Sequence, residues 1–82
     1  MLHVANNRME LSELERQRRL QINERVMLSG VTLEDPNTTY IDEDVQIGAD
    51  TFIGANTRLR GKTVIESNVT IEGNSSISNS RI

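Results

Sequence analysis

The C-terminal half of the chain carries an aliphatic residue at every sixth position. These positions are Ile41, Ile47, Ile53, Leu59, Ile65, Ile71 and Ile77. A half-buried strand needs an apolar residue at every second position, and an amphipathic helix needs one at every third or fourth. A period of six is typical of a hexapeptide β-helix, in which each hexad forms a short strand followed by a corner. Three hexads then close one triangular coil.

Two further positions of each hexad support this interpretation. The fourth residue after each aliphatic is small or β-branched: Val45, Thr51, Thr57, Thr63, Val69 and Ser75. The third residue after each belongs to a set dominated by Asp and Asn, which tolerate the left-handed backbone angles of a corner: Asp44, Asp50, Asn56, Lys62, Asn68 and Asn74. A series of antiparallel strands is the alternative, but it would need hairpin signals such as Asn-Gly, which the sequence lacks.

The repeat predicts which residues lie above one another. Residues one coil apart should occupy adjacent rungs, roughly 4.8 Å apart. The inward columns would be Ile41–Leu59–Ile77, Ile47–Ile65 and Ile53–Ile71. On the outside, Asp42 should lie over Arg60 and Asp44 over Lys62, as pairs of opposite charge.

The repeat region makes only about two coils, and its last steps are irregular. The step from Ile77 to Ile82 is one residue short, which should displace Arg81 from the corner position. Because each coil of a solenoid covers its neighbour, we expect the last coil to leave Ile65, Val69, Ile71 and Ile77 open.

Residues 8–29 are predicted to form one long α-helix. They are rich in Glu, Arg, Gln and Leu, with Asn7 or Ser12 as the candidate cap and Gly30 after the end. The helical spacing predicts the ion pairs Glu13–Arg16, Glu15–Arg18 and Glu15–Arg19. Its loose apolar stripe must lie on another part of the protein. Residues 30–40, with Asp35-Pro36, are interpreted as a connector.

The composition narrows the class of protein. The net charge of −3 and a pI near 5.0 argue against a nucleic-acid or membrane partner. The absence of cysteine excludes disulfides, and the sequence has neither a membrane-spanning apolar run nor a signal-peptide pattern. We therefore expect a cytoplasmic protein with a mainly β fold.

The order VANNRMELSELERQ, charged helix, SGVTLEDPNTTYIDEDVQIG resembles one family along almost the whole chain. This is the bifunctional bacterial N-acetylglucosamine-1-phosphate uridyltransferase and glucosamine-1-phosphate N-acetyltransferase. The resemblance implies that residues 1–7 are the end of a nucleotidyltransferase motif and that residues 8–29 form a linker helix. Residues 30–40 would then be a connector, and residues 41–82 the start of a left-handed parallel β-helix that forms homotrimers.

The resemblance also implies two reactions for the full-length family. Glucosamine 1-phosphate is acetylated from acetyl-CoA, and uridylyl transfer from UTP with magnesium then yields UDP-N-acetylglucosamine, a precursor of peptidoglycan and lipopolysaccharide. Asn6 matches the family's asparagine that helps bind magnesium, although Asn6 or Asn7 could instead only cap the helix. The family's catalytic and cofactor-binding residues would fall before Met1 or beyond Ile82. We therefore predict that this chain alone is inactive, with a structural role in linking domains and starting the trimer.

Two other functions stay open at this point. The chain could be a stand-alone hexapeptide-repeat scaffold or oligomerisation module without catalysis. It could also come from another sugar-nucleotide enzyme, such as a glucose-1-phosphate nucleotidyltransferase, although the Asp35-Pro36 connector and the Asn6-Asn7-Arg8 motif argue against that. His3 is interpreted as a solvated terminal residue, and the arginines at 16, 18 and 19 as a solvated helix face.

Overall fold

The computed structural model describes residues 7–82, which fold as one helix followed by eight short strands. The helix α1 spans Arg8–Leu28, and a short 3-10 helix spans Pro36–Thr38. The strands are β1 Thr32–Leu33, β2 Tyr40–Ile41, β3 Gln46–Ile47, β4 Phe52–Ile53, β5 Arg58–Arg60, β6 Val64–Ile65, β7 Thr70–Ile71 and β8 Ser76–Ser78.

Helix α1 begins and ends at residues suited to those positions. Asn7 is the N-cap, and its side-chain oxygen accepts a 2.9 Å hydrogen bond from the backbone N–H of Glu10. Ser12, the other candidate cap, lies inside the helix. At the C-terminal end Ser29 is the cap, and Gly30 follows with φ +101°, an angle that glycine adopts without strain.

The strands form the three walls of a parallel β-helix. The walls have the strand orders β1-β4-β7, β2-β5-β8 and β3-β6, and every pairing is parallel. Ile41 pairs with Leu59 and Leu59 with Ile77, while Ile47 pairs with Ile65 and Ile53 with Ile71. The predicted columns are therefore confirmed. So is the predicted fold class, a left-handed parallel β-helix preceded by one long α-helix.

Strand β1 was not predicted, because it lies in the segment interpreted as a connector. Its Leu33 pairs with Ile53, which is 20 residues further along the chain instead of 18. The 3-10 turn Pro36–Thr38 accommodates the extra residues. It is held by Asp35, whose side chain accepts a hydrogen bond from the backbone N–H of Asn37 at 3.0 Å. The first coil therefore already begins within residues 30–40.

The core is a narrow aliphatic column along the axis of the coils. Ile53 and Leu59 are fully buried. Ile65 and Ile71 are buried as well, so the expectation that the last coil leaves them open is wrong. Side chains from three walls meet at the axis, so each coil covers much of its own interior. Val69 and Ile77 are only partly buried, as expected nearer an end.

Most corners use the left-handed backbone region that Asp and Asn tolerate. Positive φ angles occur at Asp50, Asn56, Asn68, Asn74 and Asn79. Two predicted corner residues, Asp44 and Lys62, do not have positive φ among the described residues. In the first of these corners the chain makes a turn in which the Val45 N–H donates to the Asp42 carbonyl oxygen at 3.1 Å. In the second, Gly61 takes the positive φ, +66°, instead of Lys62.

The shortened final step has the predicted consequence. Arg81 pairs with Val64, which precedes it by 17 residues instead of 18. The Ile82 N–H donates to the Val64 carbonyl oxygen at 2.9 Å. The chain therefore still pairs with the preceding coil after the shortened step. Arg81 is thereby displaced from the corner, and its guanidinium pairs with Glu66 at 2.7 Å.

Buried threonines close the corners from the inside. Thr39, Thr51, Thr57 and Thr63 are all at most 1 % exposed. The Thr51 hydroxyl donates to the Glu66 carbonyl oxygen at 2.7 Å and accepts from the Val69 N–H at 3.2 Å. At a corner, some backbone N–H and C=O groups have no partner in the neighbouring strand. The threonine hydroxyl forms hydrogen bonds with such groups, so this residue stabilises the corner as well as fitting into it.

Candidate functional site

Helix α1 packs against the first coil through a set of buried apolar residues. Val26 is buried and belongs to the same apolar cluster as Val31, Leu33 and Ile41, with Ile22 packed against it. The C-terminal half of the helix therefore covers the start of the β-helix core. Met9 and Leu11 in the N-terminal half are exposed. The predicted apolar stripe thus packs only where it is densest.

Asn23 fixes the helix on the coil. Its side chain is fully buried, and its amide nitrogen donates to the carbonyl oxygens of Pro36 at 2.8 Å and Thr39 at 3.0 Å. One side chain thus bonds the helix to both ends of the segment that leads into β2. Sequence reasoning missed this residue. The available signal was a single polar residue among Ile22 and Val26 on the packed face, where a buried polar group must find partners.

An open groove of about 310 Å³ runs along this junction. Its walls carry mixed charge, from the carboxylates of Glu15, Asp42 and Glu43 and the guanidiniums of Arg18 and Arg19. Tyr40 lies beside it, with the Arg19 guanidinium carbon 4.7 Å from the ring centroid and that of Arg58 at 5.1 Å. The groove therefore carries no uniform charge that would select an anion or a cation.

Arg16, Arg18 and Arg19 each contact a different partner, so they do not form a phosphate-binding patch. Arg16 pairs with Glu13 at 2.8 Å, as predicted. This contact lowers the pKa of the Glu13 carboxyl below its ordinary value and raises that of the Arg16 guanidinium. The prediction for Arg18 is wrong, because Arg18 pairs with Glu43 of the first corner and not with Glu15.

The predicted ion pairs between coils do not form either. The described ion pairs include neither Asp42–Arg60 nor Asp44–Lys62. Asp42 instead accepts a 2.9 Å hydrogen bond from the backbone N–H of Gly61. The Asp42 carboxylate therefore binds the backbone of the neighbouring corner.

Within residues 7–82, two walls of the β-helix end in strands that have a neighbour on one side only. Strands β7 and β8 are the last strands of their walls. A parallel strand that ends a sheet has N–H and C=O groups on its outer side available for another strand. In the third wall, Ile82 bonds to the backbone of Val64 and Glu66 and is 44 % exposed.

The described residues do not form a metal centre. No group of three or more His, Cys, Asp or Glu within residues 7–82 could hold a metal ion. Asn6, the predicted magnesium ligand, and His3 lie outside the described residues. Ser75 and Ser80 use their hydroxyls on nearby carbonyl oxygens of Glu72 and Ser78, which agrees with corner and surface roles.

Within residues 7–82, no helix is both long enough and apolar enough to cross a membrane.

The repeat segment has a clear counterpart among known families. Residues 44–79 match the family described as bacterial transferase hexapeptide (six repeats). The three parallel walls with inward columns one coil apart agree with this match, so the fold is that of a hexapeptide-repeat β-helix.

Within this class, the chain is similar to the bifunctional protein GlmU. It is 56 % identical over 45 residues to that of Symbiobacterium thermophilum, which covers 55 % of this chain and 10 % of the relative. It is 56 % identical over 43 residues to that of Pseudothermotoga lettingae, covering 52 % and 10 %. It is 53 % identical over 45 residues to that of Lactococcus lactis subsp. cremoris, covering 55 % and 10 %. The resemblance predicted from the sequence is confirmed, and the chain spans about a tenth of the length of these relatives.

Proposed function

We propose that this chain is the linker helix and first coils of a bifunctional enzyme of the GlmU kind. The whole enzyme would acetylate glucosamine 1-phosphate from acetyl-CoA and then transfer uridylyl from UTP with magnesium, making UDP-N-acetylglucosamine in the cytoplasm. The observation that carries the proposal is the identity of 50–56 % to GlmU proteins in a chain whose strands keep the hexapeptide register.

The role proposed for this segment is structural. Helix α1 would set the distance between a preceding catalytic domain and the β-helix, because a helix of 21 residues extends about 32 Å. Asn23 and Val26 would fix its direction on the first coil. The free edges of β7 and β8 would continue into further coils, and three copies would associate through the outer walls as a homotrimer.

An exchange experiment tests this role. The matching segment of the Lactococcus lactis protein is replaced by this chain, and uridylyl transfer, acetyl transfer and the oligomeric state are measured. We expect both activities and the trimer to be retained. A matched control carries Leu59→Ala in the inserted segment, and it should lose the trimer and acetyl transfer. An unsubstituted exchange that folds but assembles wrongly would contradict the proposal.

The isolated chain supplies the complementary measurement. We expect no turnover in either transferase assay, because the catalytic and cofactor-binding residues that the resemblance implies would fall before Met1 or beyond Ile82. Clear turnover in either assay would overturn the structural role. Light scattering after size exclusion then separates the trimer proposed here from a chain that stays monomeric, and a monomer would contradict the proposed contribution to assembly.

A further inference from the structure

Two buried polar atoms at the helix–coil junction lack a hydrogen-bond partner. Among the buried side-chain nitrogen and oxygen atoms of residues 7–82, these are the Nε of Arg19 and the Oδ1 of Asn23. One is a donor and the other an acceptor. Buried polar groups in folded proteins nearly always have a partner, either in the protein or in an ordered water molecule.

The two residues that carry these atoms lie on the same face of α1. Arg19 and Asn23 are four residues apart, a spacing that brings Cβ atoms to about 5–6 Å on a helix. Both side chains are also held by the same short segment of the coil. The amide nitrogen of Asn23 donates to the Thr39 carbonyl oxygen, and the Arg19 guanidinium lies over the ring of Tyr40. Neither side chain can turn away without losing that contact.

The two carbonyl oxygens that accept from Asn23 fix the orientation of its amide. Its nitrogen donates to two carbonyl oxygens, those of Pro36 and Thr39. A flipped amide would point its oxygen at two other oxygens. The Oδ1 atom is therefore an acceptor that faces away from these carbonyls and needs a donor from elsewhere.

We propose that this junction binds one water molecule between Arg19 Nε and Asn23 Oδ1. The water oxygen accepts from the Nε–H, and one of its hydrogens is donated to Oδ1. The pair selects a neutral hydroxyl-bearing molecule, because a cation would face the guanidinium and an anion would face the amide oxygen. Two protein partners meet the lower limit for a buried water, which makes about two to four hydrogen bonds. The water would link two successive helical turns beside the coil.

A high-resolution crystal structure of the chain tests the site directly. We expect a solvent peak about 2.7–3.2 Å from both Arg19 Nε and Asn23 Oδ1. A direct hydrogen bond between the two side chains, or a site with no solvent peak between them, would overturn the proposal.

Two variants test the site in solution by nuclear Overhauser effects from water to the Asn23 amide protons. Arg19→Met removes the Nε donor and keeps much of the apolar stem, and we expect it to abolish or shorten the lifetime of the water contact. Arg16→Met is the matched control on the exposed face, and it should leave the water signal unchanged. An equal signal in both variants would show that Arg19 does not hold the water.

Discussion

Leu59 is the residue whose removal should damage this fold most clearly. It is fully buried, with Ile41 on one rung and Ile77 on the other as its register partners. Leu59→Ala removes three carbon atoms. At about 0.8 kcal/mol for each buried methylene, the transfer contribution alone is about 2.4 kcal/mol. A residual cavity adds to it, and core Leu→Ala substitutions cost about 2–5 kcal/mol.

We therefore expect Leu59→Ala to lower the free energy of unfolding by about 3 kcal/mol. An 82-residue protein typically has a total of about 4–12 kcal/mol, so the loss is a large fraction of stability. Urea unfolding followed by circular dichroism measures it. With a slope of about 1.5 kcal/mol per molar, the midpoint should fall by about 2 M.

The control is Leu11→Ala, the same chemical change at a residue of α1 that is 50 % exposed. We expect it to change stability by less than about 0.5 kcal/mol. All proteins are compared at one protein concentration, because association would stabilise the folded state. The reasoning is refuted when Leu59→Ala costs no more than Leu11→Ala, since Leu59 would then not lie in a closed core.

Three further predictions follow from the corners and the helix surface. Thr51→Val should cost about 1–3 kcal/mol in urea unfolding, and more than Thr57→Val, because the Thr57 hydroxyl makes only a 3.5 Å contact; equal costs would contradict this. Asn74→Ala should cost about 1 kcal/mol because Asn74 has a φ of +60°, while Lys62→Ala, outside that region, should stay within about 0.5 kcal/mol. The pKa of Glu13 is lowered by its hydrogen-bonded arginine, so the pair stabilises the helix above the ordinary carboxyl pKa and loses this effect as the pH falls through the lowered value. A pH titration of helicity should therefore be flatter in Glu13→Gln, and an identical titration would argue against the pair.

The columns could be predicted because the inward position of each hexad is set by its side chain alone. A bulky aliphatic at every sixth residue, without the hairpin signals that antiparallel strands need, indicates a coil in which Ile41, Leu59 and Ile77 all point inward. The helix could be predicted because its capping residues, Asn7 and Gly30, act on their own immediate neighbours. These features depend on local sequence, so they can be inferred without knowing the distant parts of the fold.

The features that were missed depend on contacts between distant residues. Strand β1 escaped prediction because the two extra residues around Pro36 break the period of six. Arg18 pairs with Glu43 because the helix crosses the first corner, a geometry that no spacing within the helix reveals. The turn at Asp44 was assigned a left-handed angle from its residue type, but a hydrogen-bonded turn satisfies the same corner.

The candidate site was the least predictable part. The junction groove is formed by a helix and a coil that meet through Asn23, and its importance becomes visible only when the carbonyl oxygens of Pro36 and Thr39 face it. The sequence resemblance directed attention to Asn6, which lies outside the described residues, so magnesium binding there stays a prediction.

The most direct measurement of the central claim uses methyl groups in solution. Nuclear Overhauser effects should connect Ile41 with Leu59 and Leu59 with Ile77, because each pair occupies adjacent rungs roughly 4.8 Å apart. Ile41 and Ile77 lie two rungs apart and should give a much weaker signal. Contacts of Leu59 with residues of a neighbouring antiparallel strand, in place of Ile41 and Ile77, would contradict the β-helix and weaken the resemblance to hexapeptide-repeat proteins that rests on it.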